Sequence, residues 1–170
     1  MSTLNDLEKI YINDLRNIYP KQEIKSIFKL LILDLLKIDS ISFLLIKYDI
    51  VSLSKEKKII EYLNRLQKHE PVQYILGYTI FLDLKIKLNK KVLIPRKETE
   101  ELVIWCKSFL NKENKIIDLG TGSGCIAISL AKNQIVTALD VCNDVLKIAK
   151  HNAKLNGVNI KFIKDDILQF

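Results

Sequence analysis

Residues Ile116 to Gly124 read Ile-Ile-Asp-Leu-Gly-Thr-Gly-Ser-Gly, and no other segment restricts the fold of this chain as strongly. A short apolar run that ends in a carboxylate and three alternating glycines has the pattern of a strand-to-helix turn at a nucleotide site. Without a Cβ the backbone turns sharply, and a ligand can lie against the main chain facing the first amides of the next helix. That helix is expected over Cys125 to Lys132, with Ile126, Ala127, Ser129, Leu130 and Ala131 around its buried face. A second strand, Gln134 to Asp140, again ends in a carboxylate. Asn143 is a suitable N-cap for a helix through Asn156, with Val145, Leu146, Ile148, Ala149 and Ala153 inward and Gly157 as its stop. Ile160 to Ile163 gives a third strand. This order predicts an α/β fold, a mononucleotide-binding half of a doubly wound sheet with its crevice at the carboxyl ends of the strands.

The same residues restrict the ligand. A dinucleotide turn places its third glycine three positions after the second, so that helix and strand pack around a pyrophosphate. Here Gly124 follows Gly122 by two. Asp118 sits just before the turn, where its charge would repel a pyrophosphate and suit an ammonium group. Asp140 stands where a carboxylate accepts two ribose hydroxyls. S-adenosyl-L-methionine carries both an ammonium and a ribose and fits this pair better than NAD does. A NAD-dependent enzyme, and two carboxylates that only cap strand ends, are the alternatives.

Outside the turn, Glu70 to Gly77 reads Glu-Pro-Val-Gln-Tyr-Ile-Leu-Gly, and Val92 to Glu101 reads Val-Leu-Ile-Pro-Arg-Lys-Glu-Thr-Glu-Glu. Together with Asp-Leu-Gly-Thr-Gly-Ser-Gly-Cys-Ile-Ala over Asp118 to Ala127, these segments resemble the release factor glutamine methyltransferase family. The resemblance implies a Rossmann-like class I S-adenosyl-L-methionine-dependent methyltransferase domain. It also implies methyl transfer to the side-chain amide of the glutamine in the Gly-Gly-Gln motif of peptide chain release factors. Gly120, Thr121, Gly122, Ser123 and Gly124 would line the cofactor, Asp140 would hold the ribose, and Asp166 with Ile167 would flank the adenine. The Glu98-Thr99-Glu100 match leans toward the release factor enzyme over a relative that methylates a glutamine of a ribosomal protein.

One family feature is missing from the sequence. Family members carry Asn-Pro-Pro-Tyr after the fourth strand to orient the substrate amide, whereas the prolines here are Pro20, Pro71 and Pro95. No catalytic residue is therefore assigned, and the sheet over residues 98–170 is expected to be incomplete. The sequence reads as the amino-terminal part of a longer protein or as a gene cut short, inactive alone, with an unpaired edge on its first strand that favours aggregation. Adenine-amine methyltransferases of DNA share the tetrapeptide and are an alternative. A non-catalytic module that binds a partner through Leu4 to His69 is another.

Residues 1–70 read as a helical bundle. Leu4, Leu7, Tyr11, Leu15 and Ile18 mark one helical face, Ile24, Ile27, Phe28, Leu31 and Leu35 a second, and Ile59, Ile60, Leu63 and Leu66 a third. In the resembled family such a domain helps grip the release factor. Residues 71–97 are expected as a linker with a β-hairpin, Tyr78 to Leu82 and Lys85 to Leu88 around Asp83, before a helix over Glu98 to Leu110 with an acidic first turn. Arg96 would contact substrate or brace the hairpin. His69 and His151 are assigned to surface or packing. Cys106, Cys125 and Cys142 lack metal spacing and read as free thiols of a cytoplasmic protein. The first residues have neither a basic head nor an apolar run, and the apolar stretch Leu30 to Ile46 is broken by charges, so neither a signal peptide nor a membrane span is expected. The net charge of +7 comes from lysines dispersed along the chain, without an arginine cluster or an aromatic platform, so no specific nucleic-acid partner is expected.

Overall fold

A computed structural model of the chain describes residues 2–111 and 113–169. The chain divides into two compact units, Met1–Leu76 and Gly77–Phe170. The first is built of helices, α1 (Leu4–Leu15), α2 (Lys21–Leu36), α3 (Ser40–Leu45), α4 (Leu53–Gln67) and α5 (Val72–Leu76), with an isolated antiparallel bridge between Thr3 and Ile50. Thr3 and Asp6 form a reciprocal capping box at the start of α1, and Asp39 Oδ1 accepts the Ser42 amide at 2.7 Å to open α3. The expected stripes meet in one core: Leu7, Tyr11 and Leu15, Ile24, Phe28 and Leu31, and Ile59, Leu63 and Leu66 are all buried. Ile18, Leu35 and Ile60 pack at its margin. The Tyr11 hydroxyl donates to the Ile59 carbonyl at 2.6 Å, and burial pushes its pKa far up, so it stays a neutral donor.

At the end of α4, His69 is exposed and takes the left-handed position, φ +58°, that closes the helix. Arg65 then pairs with Glu70 through two 2.9 Å bonds and donates to the Tyr74 carbonyl at 3.1 Å. This planar fork fixes the corner into α5, a helix not expected from the sequence. The stretch 71–97 is thus split: α5 lies in the first unit and the hairpin in the second.

The second unit begins with the antiparallel hairpin β1 (Tyr78–Phe81) and β2 (Leu84–Lys87). Then follow α6 (Lys97–Lys107), β3 (Lys115–Leu119), α7 (Cys125–Leu130), β4 (Ile135–Asp140), α8 (Asn143–Leu155) and β5 (Lys161–Lys164). The strands β3, β4 and β5 form a parallel sheet in that order, an α/β arrangement. Several boundaries move by one to three residues from those expected. Leu130 ends α7 because residues 131–133 form a turn. Asn143 is the first residue of α8 rather than its cap, since Cys142 holds the cap position with its amide bonded to Asp140 Oδ1 at 3.0 Å. Among the described residues no helix is long and apolar enough to cross a membrane.

Candidate cofactor site

Parallel pairing carries the carboxyl ends of the strands to one side. Register matches Asp118 with Ala138, Leu119 with Leu139 and Asp140 with Lys164, so Asp118, Asp140 and the segment after β5 share that side. Between them runs the glycine turn, with φ of +71° at Gly120, +56° at Gly122 and +82° at Gly124. A Cβ on Gly124 would stand 3.2 Å from Ala149 Cβ and 3.1 Å from Ile128 Cδ1, so the turn is seated directly on α8. Glycine there serves both the backbone conformation and the close approach.

Three backbone amides hold the turn in place. The Thr121 amide donates to the Leu139 carbonyl at 2.8 Å, the Gly124 amide to the Thr121 carbonyl at 2.9 Å, and the Gly122 amide to Asp140 Oδ2 at 3.1 Å. Asp140 is therefore clamped by Gly122 on one oxygen and Cys142 on the other. A carboxylate has about four lone-pair positions, so two backbone bonds orient it and still leave acceptors for a diol.

Asp118 differs from Asp140. Burial pushes its carboxyl above the usual range, the Thr121 hydroxyl opposes this by donating to Oδ2 at 2.7 Å, and the nearby charge of Asp140 adds to the rise. A desolvated carboxylate whose charged neighbour is another carboxylate gains most from an incoming cation. Thr121 and Ser123 are both buried: the Thr121 hydroxyl is engaged by Asp118, and the Ser123 carbonyl accepts from Asn152. Asp166 Oδ1 accepts the Leu168 amide at 3.0 Å just beyond β5, and Ile167 is exposed beside it.

The structure brings Asp118, Gly120–Gly124, Asp140 and the Asp166–Ile167 turn to one end of the sheet. It leaves His151 exposed on α8 and places Arg96, also exposed, at the N-cap of α6. Burial pushes the Cys125 thiol up, which keeps it an inert packing group. The sequence pattern alone does not single out Asn152. Its signal was a polar residue at an inward helical position, between Ala149 and Ala153.

Two family models match the chain: the PrmC N-terminal domain over residues 12–77 and the methyltransferase domain over residues 110–170. The release factor glutamine methyltransferase of Flavobacterium psychrophilum is 41% identical over 94% of this chain and 59% of its own length. The chain belongs to the release factor glutamine methyltransferase family. Other family members agree. The Bacteroides thetaiotaomicron enzyme is 37% identical over 96% of this chain and 60% of its own. That of Lactococcus lactis is 42% identical over 78% and 50%. The chain spans roughly three-fifths of the length of the relatives that match most of it.

Proposed function

We propose that this protein is an S-adenosyl-L-methionine-dependent methyltransferase of the cytoplasm whose substrate is the glutamine side-chain amide in the Gly-Gly-Gln motif of peptide chain release factors. The carboxylate pair astride the glycine turn carries the cofactor half of this reading. Asp118, buried beside another negative charge, suits the ammonium of the methionine moiety, and Asp140, with two backbone bonds and acceptors to spare, suits the ribose hydroxyls. The backbone of the glycine turn lines the ligand, Thr121 and Ser123 brace it, and Asp166 with Ile167 flanks the adenine. When bound, the cofactor supplies an electrophilic methyl group on a sulfonium. The residues described here bind and orient it. The helical unit over residues 1–70 is the surface for the release factor, a role supported by the match of residues 12–77 to the family's amino-terminal domain.

Calorimetric titration of the chain with S-adenosylhomocysteine and, separately, NADH tests the ligand. Saturable binding of the first is expected, weakened by about 30-fold in Asp140→Ala, the loss of hydrogen bonds to a charged acceptor. Preference for NADH would overturn the assignment. Titration of the same chain with a purified release factor tests the partner, with binding expected in the absence of cofactor.

A further inference from the structure

Asn152 lies on α8, fully buried at 0% exposure, and its side chain makes three hydrogen bonds to backbone distant in sequence. Oδ1 accepts the Lys87 amide at 2.8 Å, while Nδ2 donates to the Lys87 carbonyl at 3.0 Å and to the Ser123 carbonyl at 2.9 Å. Both amide protons are used, and only this orientation serves one N–H and two carbonyls. The side chain therefore pairs with Lys87 as a neighbouring strand would, and with its remaining proton it holds the middle of the glycine turn. Apolar packing does not require an amide here, since its neighbours on the buried face are Ala149 and Ala153. One turn further on, Asn156 donates to the carbonyls of Lys85 and Asn152, so it anchors the hairpin alone.

We infer that Asn152 is a positioning residue for the cofactor: by fixing the Ser123 carbonyl it holds the turn in which the Gly122 amide meets Asp140 and the Gly124 amide meets the Thr121 carbonyl, and so sets the shape of the crevice. The inference rests on the cofactor reading above. Ser123 has glycine on both sides, so apart from the bond of the Gly124 amide to the Thr121 carbonyl little else resists rotation of its peptide unit. On one side the Gly122 amide must meet Asp140, and on the other Gly124 must fit against Ala149. Without Asn152 the Ser123 carbonyl loses its donor in a buried place, and the turn is released toward water.

Asn152→Asp keeps the size and the acceptor for Lys87 but sets an oxygen against two carbonyls. Asn156→Ala removes a hairpin anchor and leaves the turn untouched. Two readouts on the full chain, below the unfolding transitions, separate the cases: the dissociation constant for S-adenosylhomocysteine, and amide hydrogen exchange over residues 120–124. Asn152→Asp is expected to weaken binding by about tenfold or more, the effect of one lost buried bond, and to speed exchange across the turn. Asn156→Ala is expected to lower the melting temperature with binding within about twofold of the parent. Unchanged binding in Asn152→Asp, or an equal loss in both variants, overturns the inference. If Asn152→Asp does not fold, Asn152→Ser is read by the same two criteria. A parent chain that binds no S-adenosylhomocysteine overturns the cofactor reading instead. Faster exchange in Asn152→Asp but not in Asn156→Ala would then still establish the hold on the turn, and unchanged exchange would end that too.

Discussion

The two units are held together by different means. In the first, helices bury continuous apolar stripes, and polar side chains mostly finish helix ends, as Thr3, Asp39 and Arg65 do. In the second, side chains bond to backbone across long sequence distances: Asn152 to Lys87 and Ser123, Asn156 to Lys85, and Glu100 Oε1 to the Leu82 amide at 3.1 Å. Apolar cover is thinner there. Val103 is the buried residue of α6, Trp105 on the same helix is 63% exposed, and Ile117 on the edge strand β3 is also 63% exposed. Apolar burial gives a unit its stability without fixing any one polar group, whereas directional bonds fix the main chain at a chosen point, here the glycine turn.

That contrast can be broken from either side. Phe28→Ala empties the centre of the first unit, where Tyr11 and Phe43 pack edge-on to its ring, and should cost about 4 kcal/mol. Amide exchange should quicken through residues 2–76, and affinity for S-adenosylhomocysteine in the folded protein should stay as it was. Gly124→Ala should do the reverse. An added Cβ meets Ala149 at 3.2 Å in a backbone region with φ of +82°, for about 3 kcal/mol lost from the second unit together with most of the binding.

Asp118→Asn sharpens the comparison, because here stability and binding should part. Burial raises the folded-state pKa of Asp118 above its ordinary 3.8, so the folded unit holds the proton more tightly than the unfolded chain does. The stability this confers is full below that ordinary value and is lost as pH rises through the folded pKa. At neutral pH the amide variant should therefore be more stable by about 1 kcal/mol and bind S-adenosylhomocysteine about tenfold more weakly. Denaturant titrations at acid and neutral pH check the first expectation and calorimetry the second. The smallest effect is local. Leu82 and Asp83 both hold left-handed φ, +45° and +64°, in the hairpin turn, and Asp83→Gly should stabilise it by about 0.5 kcal/mol with binding unchanged.

The same division explains what could be read in the sequence. Leu7, Tyr11, Phe28 and Leu63 announce themselves by spacing, and the glycine turn with Asp118 and Asp140 by its order along a strand–helix–strand unit. Short helices did not, because α3 and α5 have too few residues to establish a period. The bonds of Asn152 and Glu100 escape for another reason: their partners are backbone groups 65 and 18 residues away, and a backbone amide leaves no trace in side-chain pattern. Gly124 could be read as a turn residue, but its contact with Ala149 depends on the packing of α8.

We propose the carboxyl ends of β3 and β4 as a cofactor crevice formed by this chain. Amide chemical shifts of the isotopically labelled protein, followed while S-adenosylhomocysteine is added, address it most directly. Saturable shifts are expected at Gly120, Gly122, Gly124 and Cys142, with residues such as Leu7 and Ile59 unmoved. Shifts confined to the helical unit, or none that saturate, would contradict it.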